Sequence, residues 1–227
     1  MTKRLACALA ALVLSVGPSA YAASSVVKVE DWTGAAVGTK GVPPGWEKKQ
    51  NWGIPNFDFT VIQDGPGKVL HLRSQGDSST ISKEVKVDAR KTPILEWQWK
   101  AVALPRGADA RRKATDDQAL QLYVVFERFP ARLRSRIIGY IWDSSAPEGA
   151  IVKSKKSGLI TYVVVRSGAK DLGKWLGESR NVFEDYKRIY GEEPGGPARA
   201  VSIAIDSDDT RSSAEGYVGE ILFGKPQ

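Results

Sequence analysis

Two adjacent aspartates, Asp116-Asp117, stand between a basic loop and an apolar run that begins at Ala119. Carboxylates so placed can accept from sugar hydroxyls, hold a cation, or move a proton in general acid–base work. On an extended chain adjacent side chains point to opposite faces, so these two cannot act as one catalytic pair. A glycosidase needs a second carboxylate about 5–9.5 Å from the first, and Glu96, Glu127, Glu148 and Asp185 are the candidates. The plainer reading is a structural ion pair with the neighbouring arginines.

Downstream, Tyr123, Tyr140, Trp142, Tyr162 and Arg166 fall on three strand-like runs. On a shared face they form an aromatic platform for sugar rings, with Gln98, Gln121 and Arg166 as hydrogen-bonding groups. Ile138, Tyr140 and Trp142 alternate with Ile137, Gly139 and Ile141, however, so both faces read as buried and the aromatics can equally be core. The ligand-contact set expected from these arguments is Asp116, Asp117, Tyr123, Tyr140, Trp142 and Arg166.

Other motifs carry less chemistry. Asp206-x-Asp208-Asp209 has the alternating acids of a calcium loop but not the glycine at the sixth position or the acid at the twelfth that an EF-hand requires. Glu30 and Glu220 could join a structural calcium site if the first and last strands pair; otherwise no cofactor is expected. His71 is the single histidine, which excludes histidine-based zinc sites. No Gly-x-Ser-x-Gly elbow accompanies it. The segment Arg106–Arg136 holds eight Lys/Arg against four Asp/Glu and could attract an anionic glycan, although solvated loop charge explains it as well.

The elements that must position these residues read as short strands. Thr80–Val87 and Ile94–Val102 alternate cleanly, the latter placing Leu95, Trp97, Trp99 and Ala101 on one face. Phe57–Ile62 and Val69–Arg73 flank Asp64-Gly-Pro-Gly67, which is hairpin turn chemistry. Ala119–Glu127, Ile137–Trp142 and Ile160–Arg166 follow. Ser179–Tyr190 is the one helix, capped by Asn181 and stopped by Gly191 and Pro194. Val201–Ile205 and Tyr217–Phe223, joined through Asp206–Thr210, read as a closing hairpin beside a first strand, Val26–Asp31. About ten strands and one helix in the C-terminal half predict an all-β jelly roll or β-sandwich.

Lys3 and Arg4, the apolar run Leu5–Val16 and Ala20-x-Ala22 form a signal-peptide pattern, with cleavage before Ala23 and a single domain over residues 23–227. The apolar run is too short to span a bilayer, and no second run is longer. Cys7, the single cysteine, lies in the leader, which rules out disulfides and cysteine chemistry in the mature chain. Arg4, three residues before it, breaks a lipoprotein box. A periplasmic or secreted location follows. Net charge falls from +7 to +5 once Lys3 and Arg4 leave; for an exported chain nucleic acid is not the expected partner.

Several of these landmarks occur together and in order: Leu95-Glu-Trp-Gln-Trp-Lys100, Asp116-Asp117-x-Ala119 with Tyr123-Val-Val-Phe126, Tyr140-Ile-Trp142, Arg180-Asn181-Val182 with Asp185-Tyr186 and Tyr190-Gly-Glu192, Ile205-Asp-Ser-Asp-Asp-Thr210, and Tyr217-x-Gly219-x-Ile221. The set resembles the domain-of-unknown-function family 3047 of exported bacterial proteins. Asp209 departs from the asparagine expected before the threonine, but keeps the turn chemistry. The resemblance implies a jelly-roll sandwich, galactose-binding-like and similar to carbohydrate-binding modules, and no established activity. The expected function is non-catalytic binding of an envelope or extracellular glycan, acidic ones included. The alternatives are a glycan-active enzyme using Asp117 with a second carboxylate, and a structural or assembly protein of the envelope.

Overall fold

The computed structural model describes residues 26–49 and 54–226. The leader with Cys7, and the stretch around Trp52, lie outside the described residues. The all-β sandwich expected from the strand spacing is the architecture observed.

The first sheet contains β1 (Val27–Glu30), β3 (Asp58–Asp64), β4 (Gly67–Gln75), β6 (Ile94–Ala103), β11 (Leu176–Asn181) and β13 (Ser213–Gly224), in the order β11-β6-β13-β4-β3. The second contains β2 (Glu47–Lys49), β5 (Ser78–Val87), β7 (Leu120–Phe126), β8 (Arg136–Asp143), β9 (Ile151–Lys153), β10 (Ile160–Ser167) and β12 (Ala198–Asp206), in the order β2-β5-β12-β7-β8-β10-β9. β13 runs along β6 on one side; on the other it meets β4 over its first half and β1 near its end. The first strand therefore does pair with the last. The hairpin over Asp64–Gly67 forms as expected. β8 and β10 are parallel, with β9 crossing back on the outer edge.

The expected closing hairpin is not one. β12 belongs to the seven-stranded sheet and β13 to the six-stranded sheet, so Ser207–Ser212 arches from one layer to the other. The arch is tied down by Ser207 N–H to the Asp77 carbonyl (3.0 Å) and by the Ser74–Ser207 hydroxyl pair (2.6 Å).

Side chains alternate across each strand, which sends one set between the sheets. Leu95, Trp97, Trp99 and Ala101 of β6 meet Leu122, Val124, Ile138, Tyr140 and Trp142 of β7 and β8 in one core. Trp97 packs on Tyr140 at 5.4 Å between ring centroids, and Trp99 on Trp142 at 6.0 Å; such contacts add to the large area each ring buries. A smaller cluster lies on the outer face of the seven-stranded sheet, with Ala110, Tyr123, Ile141, Ala146, Tyr162, Val164 and Ala204 under flanking loops.

The helix expected over Ser179–Tyr190 forms as α2 (Val182–Tyr190), its first three residues belonging instead to β11, and it is preceded in the chain by the single turn α1 (Ala131–Arg134). Asn181 Oδ1 accepts from Glu184 N–H at 3.0 Å, and Gly191 takes the left-handed conformation (φ 71°) that ends the helix without a Cβ clash. No helix among the described residues is long and apolar enough to cross a membrane.

Candidate functional site

The outer face of the seven-stranded sheet carries a groove of about 360 Å³. Strand phase decides what reaches it. In β7, Leu120, Leu122, Val124 and Phe126 point into the core, so Gln121, Tyr123, Val125 and Glu127 point the other way. Ser78, Thr80, Ser82 and Glu84 of β5 and Ser202 of β12 share that face, as does Tyr162 of β10. Asp116, Ser154, Lys156 and Asp206 close one part of the groove, and Glu47, Lys49 and Arg199 stand along it.

Gly139 explains how two tyrosines fit there. It is the register partner of both Tyr123 on β7 and Tyr162 on β10. A Cβ at Gly139 would lie 2.7 Å from Tyr123 Cε1 and 3.0 Å from Tyr162 Cδ1. The two rings thus occupy the space that any side chain at position 139 would need. The Tyr123 hydroxyl donates to Gln121 Oε1. The Tyr162 hydroxyl adjoins those of Tyr123 and Ser154, and burial pushes both tyrosines' pKa values up, which keeps them neutral donors.

Asp116 is 1% exposed; its Oδ1 accepts from Gln118 Nε2 at 2.8 Å and its Oδ2 from Ser154 Oγ at 3.4 Å. Burial pushes its carboxyl up to about 6, against the opposing pull of Gln118 and Lys156. Asp206 is shifted upward too, by burial with Asp117 and Asp208 adding to it and Lys156 opposing. Lys156 Nζ lies 2.5 Å from Asp209 Oδ2, 3.6 Å from Asp208 and 3.9 Å from Asp206. Burial works against this ammonium, but the three aspartates outweigh it and hold its pKa above the ordinary lysine value.

The six residues expected from sequence separate into two groups. Asp116 and Tyr123 line the groove; Asp117, Tyr140, Trp142 and Arg166 do not. Asp117 is fully buried and accepts from Asp209 N–H (3.2 Å), Thr210 N–H (2.7 Å) and Thr210 Oγ1 (2.6 Å), so both its oxygens are committed to the arch. The Asp116 backbone (φ −81°, ψ 59°) turns there instead of running extended, and its carboxyl meets Gln118 and Ser154 while that of Asp117 meets the arch. Tyr140 and Trp142 lie between the sheets. Tyr140 donates to Asp185 Oδ2 (2.9 Å), which Arg180 clamps, and Trp142 Nε1 donates to the Gly168 carbonyl (3.1 Å). Arg166 makes a two-pronged pair with Glu178 (2.7 and 3.0 Å), the same carboxylate that receives Trp99 Nε1. A bulge between Val164 and Arg166 shifts its register and turns it toward β11.

Tyr162 and Gln121 were legible as candidates and Asp206 only as part of an acidic turn, but Ser154, Lys156 and the β5 hydroxyls were not. The available signal was phase: Gln121 and Tyr123 sit two apart between four apolar residues, and glycine at 139 marks a strand position that cannot carry a side chain.

Asp117, Asp208 and Asp209 are the described carboxylates that could hold a cation, with oxygens within 4.8 Å of one another. Asp117 is already spent on the arch, and Lys156 supplies positive charge to the other two. Glu30 and Glu220 are not partners. Glu30 aligns with Ile221, and its carboxylate takes Trp32 N–H (2.8 Å), Trp46 Nε1 (2.8 Å) and Lys83 (2.8 Å). Four described cations of Arg106–Arg136 are paired outside the groove: Arg111 and Arg112 with Asp109, and Arg128 and Arg136 with Glu192.

Fold and groove together define a two-layer β-sandwich with a polar cleft on one outer face. The chain belongs to the family described as protein of unknown function (DUF3047), whose model matches residues 44–222. A search of curated proteins finds no match. Among solved structures the chain is similar to a family 30 carbohydrate-binding module (9% identity, 89% of this chain and 99% of that one, TM-score 0.48). It is also similar to the family 11 module of a cellulosomal cellulase of Clostridium thermocellum (8% identity, 91% and 98%, TM-score 0.47). A third is the K2 adhesin domain of Lys-gingipain (10% identity, 88% and 99%, TM-score 0.41).

Proposed function

We propose that the chain is an exported module that binds a neutral carbohydrate in the groove without cleaving it. The observation that carries the reading is the pair Tyr123–Tyr162 laid over Gly139 within a cleft whose walls also carry hydroxyls, an amide, charged groups and a few aliphatic side chains. A sugar presents apolar C–H faces to aromatic rings and hydroxyls to fixed polar groups, and specific ligand clefts combine those two kinds of surface. Five carboxyl side chains line the groove (Glu47, Glu84, Asp116, Glu127, Asp206) against three cations (Lys49, Lys156, Arg199). That balance favours an uncharged glycan over an acidic one. Export rests on the leader pattern of residues 1–22.

The test is titration against a panel of neutral and acidic polysaccharides. Saturable binding to neutral glycans, weakened at least tenfold by Tyr162→Ala, supports the reading; binding to none, or to acidic chains alone, overturns it.

A glycan-cleaving activity is favoured by one observation, the Asp116 carboxyl poised at about 6 inside the groove. Release of reducing ends that is abolished by Asp116→Asn, with binding retained, would establish it. Asp117, committed to the arch, is not a candidate for that role.

A further inference from the structure

The connection from β7 to β8 projects an apolar tip. Phe129 is 90% exposed and Leu133, four residues on at the single turn α1, is 75% exposed. Other large exposed apolar side chains, such as Ile54, Val37 and Val102, are scattered singly along the chain. The tip lies within Arg128–Arg136, RFPARLRSR, which has four arginines and no acidic residue. Arg128 and Arg136 share one carboxylate, Glu192, and Arg134 makes no ion pair among the described residues. A cleft of about 280 Å³ opens beside the tip, lined by Arg128, Phe129, Arg134, Gly195 and Gly196 with Glu127 as its acid.

We propose that this tip docks on an anionic phospholipid surface: Phe129 and Leu133 enter the headgroup–acyl boundary while the arginines meet lipid phosphates, one of them in the adjoining cleft. Apolar side chains exposed to this degree lower their free energy on entering a membrane interface, and each basic residue near an anionic surface adds electrostatic attraction. A water-soluble anion leaves the two apolar side chains unexplained. A purely apolar partner leaves the surplus of positive charge unexplained. The groove and this cleft both border on Glu127, but Phe129, Leu133 and Arg134 do not line the groove, so this inference does not depend on the glycan reading.

The test is co-sedimentation of the chain, as its host processes it, with vesicles of phosphatidylglycerol and phosphatidylcholine or of phosphatidylcholine alone. The expected result is binding to the anionic vesicles that falls as salt rises and drops about tenfold or more in a Phe129→Ser, Leu133→Ser double variant. An Arg134→Gln variant should show a smaller loss. Both variants should unfold at the parent's temperature, since the altered side chains pack against little. No vesicle binding, equal binding to both vesicle types, or full binding by the double variant would each overturn the proposal. So would a dimer of the parent that the double variant abolishes, because the tip would then be an interface between copies.

Discussion

Asp117 and Thr210, 93 residues apart in sequence, are joined by two short hydrogen bonds to one carboxylate oxygen, from the Thr210 N–H at 2.7 Å and from its hydroxyl at 2.6 Å. The start of β7 is thereby fastened to the arch that carries the chain from one sheet to the other. Hydrogen bonds to a charged group contribute about 1.5–3 kcal/mol each, and an abandoned buried donor costs more than its bond contributed. Asp117→Ala should lower stability by about 3 kcal/mol or more in urea unfolding, while the folded fraction keeps its affinity for groove ligands. A selective loss of affinity at unchanged stability would contradict this account.

Trp142→Ala and Tyr162→Ala should differ in their effect on binding. Trp142 is a core ring against Trp99, and its truncation should cost about 3–5 kcal/mol of stability while the folded fraction keeps its glycan affinity. Tyr162 is buried in the outer cluster but also lines the groove, so its truncation should cost stability and weaken glycan binding together. Paired chemical denaturation and calorimetric titration separate the two effects.

Gly139→Ala should act as a remote groove mutation. Its new methyl would meet Tyr123 at 2.7 Å and must push both rings outward. Reduced glycan affinity with a near-parental circular dichroism spectrum is the expected outcome.

Asp116 makes stability depend on pH in a definite direction. Its carboxyl is raised to about 6 in the fold, whereas an unfolded aspartate titrates near 3.9. The native state therefore holds the proton more tightly. Its contribution is fully present below about pH 4 and is lost as pH rises through about 6. The shift corresponds to roughly 3 kcal/mol. Asp116→Asn should flatten this part of the profile and be more stable than the parent at pH 8, with little difference at pH 4. Unfolding midpoints across pH 4–8 measure it.

Lys156→Met should lower stability to a similar degree at pH 5 and pH 8. The substitution removes the ammonium that faces Asp206, Asp208 and Asp209. Asp206, raised to about 9 chiefly by burial, holds its proton across that range, and the Lys156 pKa lies above the ordinary lysine value, so neither group changes charge between the two conditions. Urea midpoints equal to the parent's at both pH values would show that the ammonium contributes nothing net.

Much of the frame was readable from local pattern. The alternation Leu95–Ala101, the turn Asp64–Gly67 and the caps Asn181 and Gly191 depend on neighbours within a few residues, and each appears where the periodicity placed it. The candidate site was half readable. Asp116 and Tyr123 reach the groove because β7 has one unambiguous phase. β8 is apolar on both faces, so nothing local distinguished Tyr140 from Gly139 as the position that looks outward.

The sequence by itself determined an all-β chain, the phases of those strands with a single apolar face, its one capped helix and its leader pattern, because side-chain alternation and terminal hydrogen bonding are local physics. The tertiary structure alone decided which faces met. It placed the two strands around Asp206–Thr210 in different sheets, turned Tyr140 and Trp142 inward, and bound Asp117 to Thr210. It also gathered Asp116, Tyr162, Ser154 and Lys156 from separate loops and strands into one groove. Those pairings join residues tens of positions apart, and their partners exist only once the layers have packed.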